Sequence, residues 1–268
     1  MKPWLRVIVV IVGCLGVSGV PAAQGQATPP PPGQPQTGAP GVPQQGRGAI
    51  PLVIGPSAPV PPEVAIPRPT PEELAQVNGA VRAFVAGNRS SVAPLLKKYE
   101  SLLLLQPPRL NVAATYTQTA QRRGPRHEGF VEIAKRGNID LLLHGDSITD
   151  WWVQNDANKA MFDKHFGHIR TANFAIAGDT TQGVLWGLKN GEGQGFQPKA
   201  VMLMIGTNNS GTFAAPEIAE GIGAIVLELR KDFPEARILL LAIFPRSVPG
   251  DPVRDKIAEV NRIIARLD

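Results

Sequence analysis

The sequence predicts an α/β domain built on a parallel sheet, and three observations carry that prediction. From about residue 127 onward, short apolar runs alternate with stretches whose apolar residues recur at helical spacing. Apolar strands alternating with amphipathic helices imply a parallel sheet covered by helices on both sides. Three of the runs end in glycine-containing signatures, and ligands of open sheets sit at the carboxyl ends of the strands.

The chain opens outside that pattern. Lys2 and Arg6 precede an uncharged apolar stretch from Val7 to Val20, and Pro21-Ala22-Ala23 then supplies the small residues of a cleavage site. This reads as a signal peptide over residues 1–23, so the protein is expected to be exported: periplasmic, envelope-associated or secreted. The stretch falls short of the roughly 20 residues that a membrane span needs. Ile11-Val12-Gly13-Cys14 also has the form of a lipoprotein box, which would acylate Cys14.

Residues 24–70 hold 14 of the 27 prolines, interleaved with Gln, Gly, Ala and Thr, too few apolar groups to offset chain entropy. They read as a disordered linker, able to tether the domain to the envelope. Thr70-Pro71-Glu72-Glu73 has the form of a helix start. Residues 71–126 are expected to be a helical extension, with two helices separated near Gly87-Asn88 and closed by Pro107-Pro108.

In the domain proper, residues 127–268, four strands are expected: Ile139 to His144, Ile169 to Ile176, Ala200 to Ile205, and Arg237 to Phe244. A helix starting at Pro216 places Ile218, Ile222, Ile225, Val226 and Leu229 on one face. After the fourth strand, Ile257, Val260, Ile264 and Leu267 define another. Gly221-Ile222-Gly223 lies inside the first of these helices and is no dinucleotide loop, which would follow a strand. Gly191-Glu192-Gly193-Gln194-Gly195 reads as a flexible turn.

The net charge is +5 and the pI about 9.6. The Lys and Arg residues are scattered, with no run longer than pairs such as Lys97-Lys98 and Arg122-Arg123. They read as a solvated surface, and no nucleic-acid partner is expected. Four His and one Cys supply neither a disulfide framework nor a Cys-based zinc site. No metal or other cofactor is expected.

Three residues at strand ends are candidates for chemistry. Ser147, in Gly145-Asp146-Ser147, follows the first strand directly, where a hydroxyl can face a cleft; alternatively it caps the next helix. Gly178 can offer its N–H to an oxyanion, or be an ordinary turn glycine. Asn208 can offer a side-chain amide, or serve as a turn residue. The second glycine of a G-x-S-x-G elbow is missing, which argues against an α/β-hydrolase. Trp151 and Trp152 either line an acyl or leaving-group site or pack a helix.

In combination, the blocks His144-Gly145-Asp146-Ser147-Ile148, Ala177-Gly178-Asp179-Thr180-Thr181, Val184 to Glu192 and Gly206-Thr207-Asn208-Asn209 resemble the SGNH (GDSL) hydrolase superfamily. They are most similar to the catalytic subunits of platelet-activating-factor acetylhydrolase. The resemblance spans roughly residues 127 to 268 and implies a flavodoxin-like three-layer α/β/α fold and ester hydrolysis. It makes Ser147 the nucleophile, and the N–H groups of Ser147 and Gly178 with the Asn208 side chain the oxyanion hole. Acetyl esters are the implied substrates, on O-acetylated carbohydrate or on lipid.

The family places its base and orienting acid in an Asp-x-x-His segment after a fifth strand. This sequence ends at Asp268, on the helix that should precede that strand, and none of its four histidines follows an aspartate at that spacing. A C-terminally truncated record of a longer enzyme is expected. A non-catalytic module that holds an acylated ligand is the alternative, and a flavodoxin-type nucleotide binder is disfavoured because no phosphate-cradling loop follows the first strand.

Overall fold

A computed structural model describes residues 52–268. The expected signal peptide, Cys14 and most of the expected linker lie outside the described residues. Four strands, β1 (Leu141–Gly145), β2 (Thr171–Asn173), β3 (Ala200–Met204) and β4 (Arg237–Leu240), form one parallel sheet in the order β2-β1-β3-β4. This is the doubly wound order of flavodoxin-like domains, with β1 flanked by β2 and β3. Leu143 pairs with Asn173 on one side and Met202 on the other. Leu142, Leu143, Val201 and Leu203 are wholly buried, as strands covered on both faces must be.

Two strands are shorter than the apolar runs suggested. Beyond β2, Phe174 N–H still donates to Leu143 O, and Ile176 N–H to Gly145 O at 3.3 Å. Beyond β4, Leu241 N–H donates to Leu203 O. The runs therefore follow the sheet past the point where regular pairing ends.

The helices before the sheet are α1 (Pro71–Gly87), α2 (Ala93–Lys98), α3 (Glu100–Leu103) and α4 (Pro125–Arg136). Thr70 and Glu73 close a reciprocal capping box on α1, as Thr70-Pro71-Glu72-Glu73 predicted. Between and after the strands come α5 (Ser147–Asp150), α6 (Asp156–Phe166), α7 (Thr181–Gly187), α8 (Ala215–Asp232) and α9 (Pro252–Ile264). All five apolar residues expected on one face of α8 are buried, and on α9 Ile257, Val260 and Ile264 are buried together with Ile263. Phe130, Phe174, Phe196 and Phe233 form a chain of ring contacts through the core.

The N-terminal boundaries differ from the sequence reading. Residues 52–68, expected within the linker, lie against α8: Ala58 and Val64 are buried, and Glu220 accepts the Ile66 N–H and both Arg68 Nη groups at 2.7 Å. Gly221 and Gly223 make room for the segments over α8. A Cβ on Gly223 would stand 2.9 Å from Pro61 Cγ, and one on Gly221 2.7 Å from Thr181 Oγ1. Proline-rich composition signals a lack of local secondary structure, and here a neighbouring helix provides the surface instead.

The extension is three helices rather than two, because the chain turns at Tyr99 and separates α2 from α3. These helices hold to one another through Asn78, which exchanges hydrogen bonds with the Leu105 backbone. Residues 111–122 instead belong to the core, with Asn111, Ala113, Thr115 and Arg122 buried.

One side chain in this packing is poorly served. Asp232, at the end of α8, has a buried Oδ2 with no hydrogen-bond partner. Burial and the neighbouring Glu228 charge push its carboxyl up to about 6. A carboxyl whose folded pKa exceeds its unfolded value stabilises the fold below the unfolded value, and that contribution is lost as pH rises through about 6. Asp232→Asn should therefore melt at a higher temperature than wild type at pH 8, with the gain fading by about pH 4. Thermal melts across that range check this, and an equal Tm at pH 8 would refute it.

Candidate active site

The strand order sets the carboxyl ends of β2, β1 and β3 side by side, with the Ser147 strand in the middle. β1 and β3 approach so closely at Gly145 that a Cβ there would run into the Met204 carbonyl. The chain then turns directly into α5. Asp146 caps this helix, its Oδ1 accepting the Ile148 N–H at 3.0 Å. Capping is thus the work of Asp146 and not of Ser147. Ser147 is half-buried, and its Oγ has no hydrogen-bond partner among the described residues.

Gly178 sits after β2 at φ +80°, a conformation that a side chain would strain. Neither its N–H nor that of Ser147 donates to a protein acceptor among the described residues. Asn208 lies in a 3₁₀ turn, Thr207–Asn209, after β3. Its Nδ2 donates to Asp179 O at 2.8 Å, which places it one residue from Gly178 and leaves its second amide proton free. The structural bonding of that turn falls to Asn209, which is buried and bonded to Thr181 and Gln182. The three predicted residues therefore gather at adjacent strand ends, each with a donor to spare.

Behind them lies a second set of contacts. The Asp150 carboxylate accepts the Ala177 N–H at 2.8 Å and pairs with Arg126, whose Nη2 also reaches Ala175 O. On the other side Arg122, wholly buried, donates through Nε to Asp179 at 2.8 Å and through Nη1 to both oxygens of buried Glu192. Its Nη2 donates to Phe174 O. Glu192 also meets His127 Nδ1 at 2.7 Å. Burial pushes Glu192 up, but the Arg122 charge and the His127 bond prevail and hold it at about 2. Burial dominates at Asp179 and pushes its carboxyl up, against the Arg122 charge and the Thr180 N–H. At Asp146 burial likewise pushes the carboxyl up to about 6, opposed by the Ile148 N–H and Arg246.

Comparison with known proteins matches residues 143–268 to the GDSL-like lipase/acylhydrolase family. Over 158 residues the chain is 36% identical to human platelet-activating factor acetylhydrolase IB subunit alpha2, covering 59% of this chain and 67% of that protein. The chain belongs to the GDSL-like lipase/acylhydrolase family. The chicken subunit alpha2 is 37% identical over 152 residues, which are 57% of this chain and 64% of the relative, so the chain spans under two thirds of that protein's length. Among solved structures, a member of the lipolytic G-D-S-L family from Veillonella parvula aligns with a TM-score of 0.42 and 15% identity, covering 48% of this chain and 72% of that one.

Within this GDSL domain no histidine hydrogen-bonds Ser147. His127 opens onto Glu192 and the Trp186 ring, 4.7 Å away. His144 is fully buried in β1, where burial pushes its imidazole down; its Nε2 stands 3.5 Å from Glu192 without forming a hydrogen bond. His165 and His168 lie on and after α6. Trp152 packs against Phe162 and Phe166, while Trp151 is exposed. Among the described residues no three His, Cys, Asp or Glu side chains form a metal-binding group.

Sequence reasoning missed Arg122 and Glu192. Arg122 was expected on a solvated surface and Glu192 in a flexible turn, yet both are wholly buried. A glycine did mark the spot: a Cβ on Gly187 would stand 2.6 Å from Glu192 Oε2, so the helix needs glycine where the carboxylate lies. Removing one member of a buried ionic group strands the others. Arg122→Ala should cost about 3–5 kcal/mol of stability at neutral pH, read from urea unfolding. A loss below about 1 kcal/mol, the range of surface pairs, would show that the cluster is open to water.

Proposed function

We propose that this chain carries the nucleophile and oxyanion hole of an exported serine esterase. The observation that carries the reading is the gathering of a free Ser147 Oγ and unpartnered donors on Ser147, Gly178 and Asn208 at three adjoining strand ends. In this reading Ser147 Oγ attacks the ester carbonyl, and the three donors take the negative charge that develops on its oxygen. Donors fixed about 3 Å from that oxygen are each worth about 3 kcal/mol of barrier. The tetrahedral adduct expels the alcohol and leaves an acyl-serine, which water then hydrolyses.

The relatives named acetylhydrolases support short acyl groups, acetyl above all, as the group transferred. The basic, apolar and small-residue order of residues 1–23 supports export, and an exported esterase fits O-acetylated carbohydrate better than a lipid. A serine hydroxyl needs a base to be a good nucleophile, and no described histidine provides one. The reading therefore requires a base from outside the described histidines, and an Asp-x-x-His segment is the one the family resemblance implies. The second reading is a module that binds an acylated ligand without turnover; its motivation is that none of the described histidines hydrogen-bonds Ser147.

Sequencing the gene past the Asp268 codon and assaying its product on p-nitrophenyl acetate separates the two. The esterase reading expects the frame to continue into Asp-x-x-His and Ser147→Ala to lower kcat by about 10³-fold or more. A stop codon at that point, with turnover unaffected by Ser147→Ala, would leave the binding module.

A further inference from the structure

We infer that Asp150, held by Arg126, is a positioning residue that sets the spacing between Ser147 and Gly178; this rests on the esterase reading. The oxyanion hole draws donors from two different strand ends, and regular β1–β2 pairing stops at Leu143 and Asn173. Past that point two backbone bonds continue between the strand ends, Phe174 N–H to Leu143 O at 2.9 Å and Ile176 N–H to Gly145 O at 3.3 Å, and only the second lies near the serine turn. The helix carrying Ser147 is a single turn, far too short to hold its own geometry. Something else must fix it against the glycine loop.

Asp150 does so from within that turn. It stands three residues after Ser147 and accepts the N–H of Ala177, the residue before Gly178, at 2.8 Å. Its side chain is 3% exposed, and all its neighbours hold it in place. Arg126 Nη2 donates to one carboxylate oxygen at 2.8 Å and Nη1 to the other at 3.2 Å. Gln154 donates to the first at 2.7 Å. The same Arg126 Nη2 donates to Ala175 O at 3.0 Å, so the guanidinium grips the loop that the carboxylate grips. A neutral stitch runs alongside: Asn173 Nδ2 donates to Thr149 O while its Oδ1 accepts Ala175 N–H. The carboxylate thus joins the serine turn to the glycine loop directly and again through Arg126.

The consequence is catalytic because a displacement of about 1 Å in such a constellation can cost about 10²-fold in rate. The Asp150 carboxylate bonds Arg126, Gln154 and Ala177 and not Ser147 Oγ, so it should act on turnover and leave ground-state binding alone.

The test uses the full gene product and four variants, Asp150→Ala, Asp150→Asn, Arg126→Ala and Ser147→Ala. It measures kcat and KM on p-nitrophenyl acetate, Tm, and amide exchange across residues 175–179. Asp150→Ala should lower kcat by about 10²-fold with KM within about threefold, and speed exchange at Ala177. Asp150→Asn keeps a carbonyl for the Ala177 N–H and should recover most of the turnover and the protection. Arg126→Ala should fall between them. Unchanged kcat and exchange in Asp150→Ala would overturn the inference. So would kcat, KM and Tm failing together and equally in Asp150→Ala and Asp150→Asn, the mark of a merely structural carboxylate. Wild-type turnover that survives Ser147→Ala would sink the esterase reading, and the positioning role with it. The exchange data distinguish that outcome, because Ala177 protection would still depend on Asp150.

Discussion

The buried guanidinium of Arg122 is the contact on which the rest of this site depends. It joins four parts of the chain that secondary structure alone leaves separate: the segment before α4, the end of β2 through Phe174 O, the glycine loop through Asp179, and the turn after α7 through Glu192. Desolvating an arginine and two carboxylates costs several kcal/mol per ion, and replacing such groups with apolar ones is often neutral or better for stability. The return here is geometric. A guanidinium donates along fixed directions in one plane, so two carboxylates and a carbonyl bonded to it are held in one arrangement. An apolar substitute would fill the space without choosing that arrangement.

The parallel sheet supplies a second constraint of the same kind. Adjacent parallel strands end on the same edge, so residues after β2, β1 and β3 emerge together without any loop having to travel. Backbone N–H donors placed in this way need little reorganisation, because the sheet has already fixed them. What the sheet cannot supply is accuracy beyond its last paired residue. Side chains take over there, with Arg122 and Asp179 on one flank and Arg126 and Asp150 on the other.

Much of this was legible in the sequence, and the reasons are local ones. Strands buried on both faces read as apolar runs, and α8 and α9 read as one-sided periodic patterns, so the alternation and the positions of Ser147, Gly178 and Asn208 followed. What did not follow came from partners distant in sequence. Arg122 finds Glu192 from 70 residues away, and Glu220 finds Arg68 from 152. No local pattern distinguishes an arginine bound for the core from one bound for solvent. Residues 52–68 misled for a related reason: composition reports whether a segment can fold alone, and this one rests on α8. The short β2 was obscured because apolar burial continues after regular pairing stops.

A pattern runs through all three candidate residues. Each is free because the residue beside it is not. Asp146 caps α5, so the hydroxyl of Ser147 next to it has no structural task. Asn209 anchors its turn to Thr181 and Gln182, and Asn208 keeps an amide proton in reserve. Ala177 is bonded to Asp150 and Asp179 to Arg122, and Gly178 between them carries an unused N–H. A polar group with unmet capacity is costly where water is excluded, and it persists only where its surroundings are fixed independently of it. Placing the anchors in adjacent positions meets that condition with the shortest possible lever. It also explains the contrast in burial: Asp146, Asp150 and Asp179 are almost wholly buried and hold the backbone still, while Ser147, Gly178 and Asn208 among them stay partly exposed.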